Sequence, residues 1–236
     1  MTGLPREQFF DGVLMAKAAG LRAGIYALLA GIFGSLPDKS FVAKIKGQEF
    51  RYFLNLFSEI NEKKFRAGAD CLKSFLSGIE HRRDEDVLSE LAVDWTRIAR
   101  APVNAELRAP YEGLYKNREA VPSCILEVKN FYRRAGLLPD QSVQESPDFL
   151  GIELDFMKQL CLREQAQWLS GDEGAAATVL TEERFIADHL GSWVGDYCLQ
   201  AGKHAVTGFY RGCLLILEAL VEAEKKFLQE QARKLR

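Results

Sequence analysis

Apolar residues recur along this chain at steps of three and four, the spacing that gathers them on one face of an α-helix, and no stretch shows convincing alternation at steps of two. The first such stretch, from about Arg6 to Phe33, is apolar on more than one side, with Phe9, Phe10, Val13, Leu21, Ile25, Leu29 and Phe33 spread around it. It is expected to be the central helix of the N-terminal half. Leu36-Pro37-Asp38 ends it and starts a short helix, and Phe50, Phe53, Leu54, Phe57 and Ile60 then form another core-facing stripe. Helices near Lys64 to Gly78 and Glu85 to Arg100 follow, the second built on Val87, Leu88, Leu91, Trp95 and Ile98.

From Ala101 to Glu119 the periodicity lapses, and Pro102, Pro110 and Gly113 indicate an ordered loop that crosses the protein. Loops of this length inside a compact domain are usually functional. A helix from about Ser123 to Ala135 comes next, with Gly136 placed to cap it and Pro139 to prevent its continuation. After a polar loop, Ser146 suits an N-cap, Pro147 a first helical position, and Asp148 a first turn, where a carboxylate meets the positive end of the helix dipole. Beyond it Phe149, Ile152, Phe156 and Leu160 share one face, which leaves Glu153, Asp155, Lys158 and Glu164 to face water. That helix is expected to reach about Leu169, before a turn at Gly171-Asp172-Glu173-Gly174. Helices over about Ala176 to Leu190, Trp193 to Gln200, and from His204 onward complete the pattern. The expected fold is all-α, a single globular bundle of about ten helices over residues 1–236. Its halves, about 1–100 and 120–236, are joined by the crossing loop 101–119.

A chain of 236 residues is long enough to bury roughly 70–75% of its unfolded surface without a staple. Its 31 Lys and Arg nearly cancel 33 Asp and Glu, a net charge of -2 that argues against binding nucleic acid through bulk positive charge. Five cysteines, widely spaced and without a C-x-x-C, suggest a reduced, cytoplasmic protein. The start MTGLPREQFFDG lacks the basic opening of a secretory signal, so export by that route is not expected. The uncharged run Ala23 to Pro37 is short of the roughly 20 residues of a membrane span, and is expected to be a buried helix rather than a membrane insertion. Arg82-Arg83 and Arg133-Arg134 lie in the interior with no apolar signal region behind them.

Catalytic chemistry is sought without success. No Glu stands three residues before His81, His189 or His204, so the helical di-iron pattern is missing, as are H-E-x-x-H, C-x-x-C-H, a P-loop and G-x-S-x-G. Asp188-His189 is the nearest thing to an acid/base pair, but adjacent helical residues point in different directions. Phe185, His189, Trp193 and Tyr197 form an i, i+4 stripe, which favours a packed histidine. No catalytic residue, metal or cofactor is expected, and the chain is read as a binding protein and not an enzyme.

Three ordered segments carry a family resemblance. Ala135-Gly136-Leu137, a short loop, and then E-x-P-D-x-L-x-x-E-L-x-F-M over Glu145 to Met157 resemble the signature of the TorD/DmsD/NarJ redox-enzyme maturation chaperones. Upstream, LAVDWTRIARAPVNAELRAPYEGLY is similar to that family's E-Y-T-R-L-F … P-Y-E-S-V-Y segment, with Trp95, Thr96, Arg97, Pro110, Tyr111, Glu112 and Tyr115 in register. Downstream, Phe185, His189, Leu190 and Trp193 resemble its F-x-x-x-H-L-x-x-W. The family's acidic loop usually reads E-P-x-D-H; here the proline is shifted and Phe149 stands in place of the histidine. The two carboxylates keep their spacing.

The resemblance implies a TorD-like helical bundle and a cytoplasmic chaperone. Its partners would be the twin-arginine leader and the body of a molybdoenzyme catalytic subunit, bound before cofactor insertion and export. An assembly factor of NarJ type, for a reductase subunit without a cleaved leader, is the alternative; a helical enzyme of unknown chemistry ranks below it. Guanidinium groups pair bidentately with carboxylates, so Glu145 and Asp148, facing the loop of Pro110 and Tyr111, suit a ligand with two arginines. Trp95, Tyr111, Leu114 and Tyr115 would help to line an apolar groove for the rest of the peptide, and Phe149 and Pro110 are placed at the same site. On the residues alone, a plain helix start for Ser146-Pro147-Asp148 and core packing for Trp95 are the favoured readings, and neither excludes a part in binding. Monomer and homodimer both stay open.

Overall fold

A computed structural model describes residues 6–100, 106–139 and 144–236, with the side chains of 6–11 and 118 left aside. Its elements are α1 (Arg6–Phe33), α2 (Lys39–Lys46), α3 (Gln48–Glu59), α4 (Lys63–Gly78), α5 (Asp84–Ala99), α6 (Glu112–Lys116), a 3-10 turn (Arg118–Ala120), α7 (Val121–Arg134), α8 (Leu150–Ser170), α9 (Gly174–Asp188), α10 (Leu190–His204) and α11 (Gly208–Leu235). The all-α expectation holds, with eleven helices among the described residues. α10 is longer at both ends than the periodicity suggests, running from Leu190 to His204, and α11 starts four residues later than expected, at Gly208. Asp38 accepts from the Ser40 amide at 2.8 Å to start α2, and Gly136, at φ 66°, ends α7 as its position implied. Pro102 and the rest of 101–105, like 140–143, lie outside the described residues.

α1 does not centre on its own half. It runs along α8, while α11 runs along α4, so the halves of the chain interlock. The α1–α8 approach depends on two glycines, since a Cβ on Gly151 would come within 2.3 Å of the Gly34 Cα. Gly12–Phe33 is also, by length and composition, apolar enough to cross a membrane, at 22 residues and mean hydropathy 1.5. Here its Ala19, Ala23, Tyr26, Leu29 and Phe33 are buried within the protein. At the other end of the bundle Asp94 of α5 is buried and accepts from the backbone amides of Val206 (3.0 Å) and Thr207 (2.7 Å), which fixes the entry to α11.

Two carboxylates assigned to water from the pattern are in fact buried. Glu164 and Glu153 on α8 are both fully covered, because each faces a partner far away in the sequence. Glu164 meets Arg22 of α1 at 2.7 Å and also accepts from Trp168 Nε1 at 2.9 Å; Glu182 of α9 and Glu224 of α11 bind the same guanidinium. Arg22 Nε donates to both Glu224 oxygens, at 2.9 and 3.0 Å, and Tyr26 adds its hydroxyl at 3.1 Å. One arginine therefore ties four helices together through three carboxyls. That excess of negative charge without water is relieved by protonation: burial pushes the Glu182 carboxyl up to about 8, against the opposing pull of Arg22, and raises Glu164 as well.

Removing the guanidinium would leave three buried carboxyls unpaired, so Arg22→Met is expected to cost about 3–5 kcal/mol in denaturant unfolding. The raised Glu182 sets a pH dependence of definite sign. A carboxyl that titrates near 8 in the fold and near 4.5 when unfolded favours the folded state at low pH, and its contribution is lost as pH rises from about 4.5 to 8. Glu182→Gln should flatten this part of the stability–pH curve; a variant with the wild-type slope over that window would refute the assignment.

Candidate functional site

The crossing loop and the head of α8 meet through backbone before any side chain is counted. Tyr111 and Phe149 form an isolated antiparallel bridge, with the Glu112 amide donating to the Asp148 carbonyl and the Leu150 amide to the Pro110 carbonyl, both at 2.9 Å. This is why α8 begins at Leu150, three residues later than the Ser146-Pro147-Asp148 pattern implies. Ser146 to Phe149 instead form a turn, closed by the Phe149 amide on the Ser146 carbonyl at 2.9 Å, and Phe149 precedes α8 without capping it through a side chain. Tyr132 of α7 donates its hydroxyl to the Pro147 carbonyl at 2.9 Å and holds the turn from behind.

Both carboxylates of the acidic loop do face the Pro110–Gly113 segment, in different ways. Asp148 is 1% exposed: one oxygen accepts from the Ser146 hydroxyl and the other from the Gly113 amide at 3.1 Å, in the first turn of α6. Its charge serves the crossing loop and is fully engaged. Glu145 stays partly open, its side chain 23% exposed, and binds Arg100 at the end of α5 while accepting from the Tyr111 hydroxyl at 2.8 Å.

Arg100 is the residue that sequence reasoning missed. Its guanidinium lies 5.2 Å from the Trp95 ring and 5.5 Å from the Phe149 ring, and donates to the Tyr111 hydroxyl at 2.8 Å and to Glu145. Tyr111 packs against Phe149 at 5.2 Å between centroids, and burial followed by the Glu145 contact pushes its phenol up to about 12, so it remains a donor to that carboxylate. Four of the sequence-derived site residues, Trp95, Tyr111, Glu145 and Phe149, thus surround one arginine side chain. Pro110 contributes its carbonyl to the bridge. Tyr115 does not join this group: its hydroxyl donates to the Arg108 carbonyl at 2.8 Å, and its ring packs on Trp193 and Tyr197. The only early sign of Arg100 was its position, one helical turn and a little beyond Trp95 and at the mouth of the loop.

Four further family-like residues, Glu112, Glu153, His189 and Trp193, meet in a buried polar joint. His189, packed against Phe131 and Phe185, places Nδ1 3.1 Å from both oxygens of Glu112, the acid of P-Y-E, and Lys116 binds Glu112 at 2.8 Å. Burial works against the Glu112 charge, yet His189 and Lys116 hold its carboxyl below the ordinary range. Next to it Glu153 accepts from Trp193 Nε1 at 3.1 Å, and burial and the Glu112 charge push its own carboxyl well up. The two neighbouring carboxyls are thus pushed in opposite directions, Glu112 toward its charged form and Glu153 toward its neutral one. The carboxylate paired with His189 is therefore Glu112 and not Asp188. Among the described residues no group of three or more His, Cys, Asp or Glu stands together to hold a metal ion.

Beside the arginine cradle, a groove of about 740 Å³ opens between α1 and α8. Ala27 and Gly31 of α1, Ile152 of α8, and Leu138 and Pro139 after α7 line it. Phe149 belongs to both features, lying under Arg100 and at the groove wall. Leu138 is 65% exposed at its edge.

Because Asp148 supports the loop from a dry position, Asp148→Ala is expected to destabilise the protein by about 1–3 kcal/mol, the cost of an unsatisfied buried amide. Glu145→Gln, on a half-open side chain, should shift the thermal midpoint far less. Equal losses in thermal unfolding would contradict this division of roles.

Comparison with known proteins places these residues in context. A family model described as nitrate reductase delta subunit matches residues 61–199, a span that holds the cradle, the bridge and the buried joint. The chain is 24% identical over 212 residues to the chaperone protein TorD of Vibrio vulnificus (strain YJ016), covering 88% of this chain and 94% of that protein. It is 21% identical over 210 residues to the TorD of Vibrio cholerae (serotype O1, strain El Tor Inaba N16961), covering 89% and 92%. Over 115 residues it is 31% identical to the perchlorate reductase assembly chaperone protein of Dechloromonas aromatica (strain RCB), covering 49% of this chain and 51% of that one. No solved structure matches.

Proposed function

Since this chain belongs to the nitrate reductase delta subunit family, whose relatives above include TorD and a reductase assembly chaperone, we propose that it is a cytoplasmic chaperone for the maturation of a molybdenum-containing oxidoreductase. In this reading it binds the twin-arginine leader, and the body, of the client subunit before cofactor insertion and export, and performs no covalent chemistry. The observation that supports the reading is the double role of Phe149, which joins a cradle suited to guanidinium with a groove whose apolar floor is edged by Asp155, Lys158 and Gln159.

A leader presents arginines followed by an apolar stretch. The arginines suit Glu145 and Tyr111 between the rings of Trp95 and Phe149, where a planar cation gains both hydrogen bonds and stacking. The apolar stretch suits the groove of Ala27, Gly31, Leu138 and Ile152, whose small residues let a chain approach closely. Pro110 and Asp148 hold the cradle in shape from below, and Tyr115 braces α6 against Trp193. Binding energy then comes from apolar burial together with Arg–carboxylate pairs partly withdrawn from water, and release follows once the matured client no longer offers its leader.

Calorimetric titration with a synthetic twin-arginine leader tests this. The natural leader is expected to bind, and a twin-lysine leader, or a Glu145→Gln protein, to bind at least tenfold more weakly, about 1.4 kcal/mol. Equal affinity for both leaders would remove the cradle from the reading. No binding of any leader would leave a client without a cleaved leader as the better account.

A further inference from the structure

The cradle is already occupied by an arginine of the same chain. Arg100 makes there the contacts that a ligand guanidinium would need: two aromatic faces at 5.2 and 5.5 Å, the Tyr111 hydroxyl at 2.8 Å, and the Glu145 carboxylate. We propose that Arg100 is a built-in stand-in, holding the guanidinium seat in the free protein and leaving it when an arginine of a bound peptide enters. The proposal rests on the leader-binding reading and adds a self-competing side chain to it.

The contrast with Arg22 supports exchange. Both arginines sit among acceptors, but the Arg22 side chain is 8% exposed, surrounded by three carboxyls from three other helices, and has no route out. The Arg100 side chain is 39% exposed and answers to a single carboxylate that is itself partly open. Its backbone is fixed independently, with the amide bonded to the Thr96 carbonyl at 2.9 Å at the end of α5, so the side chain can swing out while the helix stays folded. Exchange also conserves charge and contacts at the seat: one guanidinium leaves for water as another arrives. Such a seat is closed to a lone cation of low affinity and opens to an arginine that brings further binding energy from the neighbouring groove. It thereby makes recognition depend on both halves of the ligand at once.

The test compares wild type with Arg100→Ala, and with Arg100→Met as a second variant that keeps part of the stem should alanine fold poorly. Removing the competitor should tighten binding of the twin-arginine leader by roughly tenfold, as for a seat open in about one free molecule in ten. Independently of any leader, N-methylguanidinium at millimolar concentration should raise the thermal midpoint of Arg100→Ala more than methylammonium does. That difference should vanish in the double variant with Glu145→Gln. Leader binding that is unchanged or weaker in both single variants would overturn the proposal and make Arg100 a positioning residue for Glu145. A rescue no better with methylguanidinium than with methylammonium would overturn the seat itself. A leader that binds neither wild type nor variants would overturn the functional reading on which the proposal rests.

Discussion

The isolated backbone bridge between Tyr111 and Phe149 is the constraint on which the candidate site depends. It joins a loop with no periodicity of its own to the head of α8, the helix against which α1 lies. Two hydrogen bonds would not hold such a crossing in water. They persist because Asp148 seals the underside, Tyr132 holds the turn, and Phe149 is 1% exposed. The same bridge sets the rotation of Tyr111 and Phe149, and hence the position of the cradle between them.

Buried charge follows a consistent logic. At Arg22 three carboxyls share one guanidinium, and at Glu112 a histidine and a lysine attend one carboxylate beside a second acid. In both places burial and a neighbouring carboxylate push one carboxyl up, toward the neutral form that the interior tolerates better. These clusters bind helices to one another, and their cost when unpaired makes the arrangement specific. The cradle at Arg100 uses the same chemistry at a half-open position, where a cation can be exchanged.

The helices themselves were legible because their stripes are strong: Phe50, Phe53, Leu54 and Phe57, or Ile152, Phe156 and Leu160, read as core faces and are core faces. What the pattern could not supply was partners. Glu153 and Glu164 read as surface residues because Trp193 and Arg22, which accept them into the interior, lie 40 and 142 residues away. The start of α8 was misplaced for a related reason: Ser146 and Asp148 have the chemistry of a cap, but Asp148 gives its carboxylate to the Gly113 amide of another helix. The pairing of α1 with α8 left only a faint trace, the glycines Gly34 and Gly151, whose significance appears once they touch. Trp95, Tyr111, Glu145 and Phe149 are drawn together by family-like motifs, whereas Arg100, within the same segment but matching none of its motif positions, emerges only from geometry.

The most direct test of the cradle as an arginine-reading site is to follow the arginine Nε–H signals by nuclear magnetic resonance, with protein and leader labelled in turn. Between two aromatic rings the Arg100 signal should be displaced from the range of exposed arginines. On adding the twin-arginine leader, it should return to that range while one leader arginine takes up the displaced position. A leader that binds and leaves the Arg100 signal where it was would contradict the account.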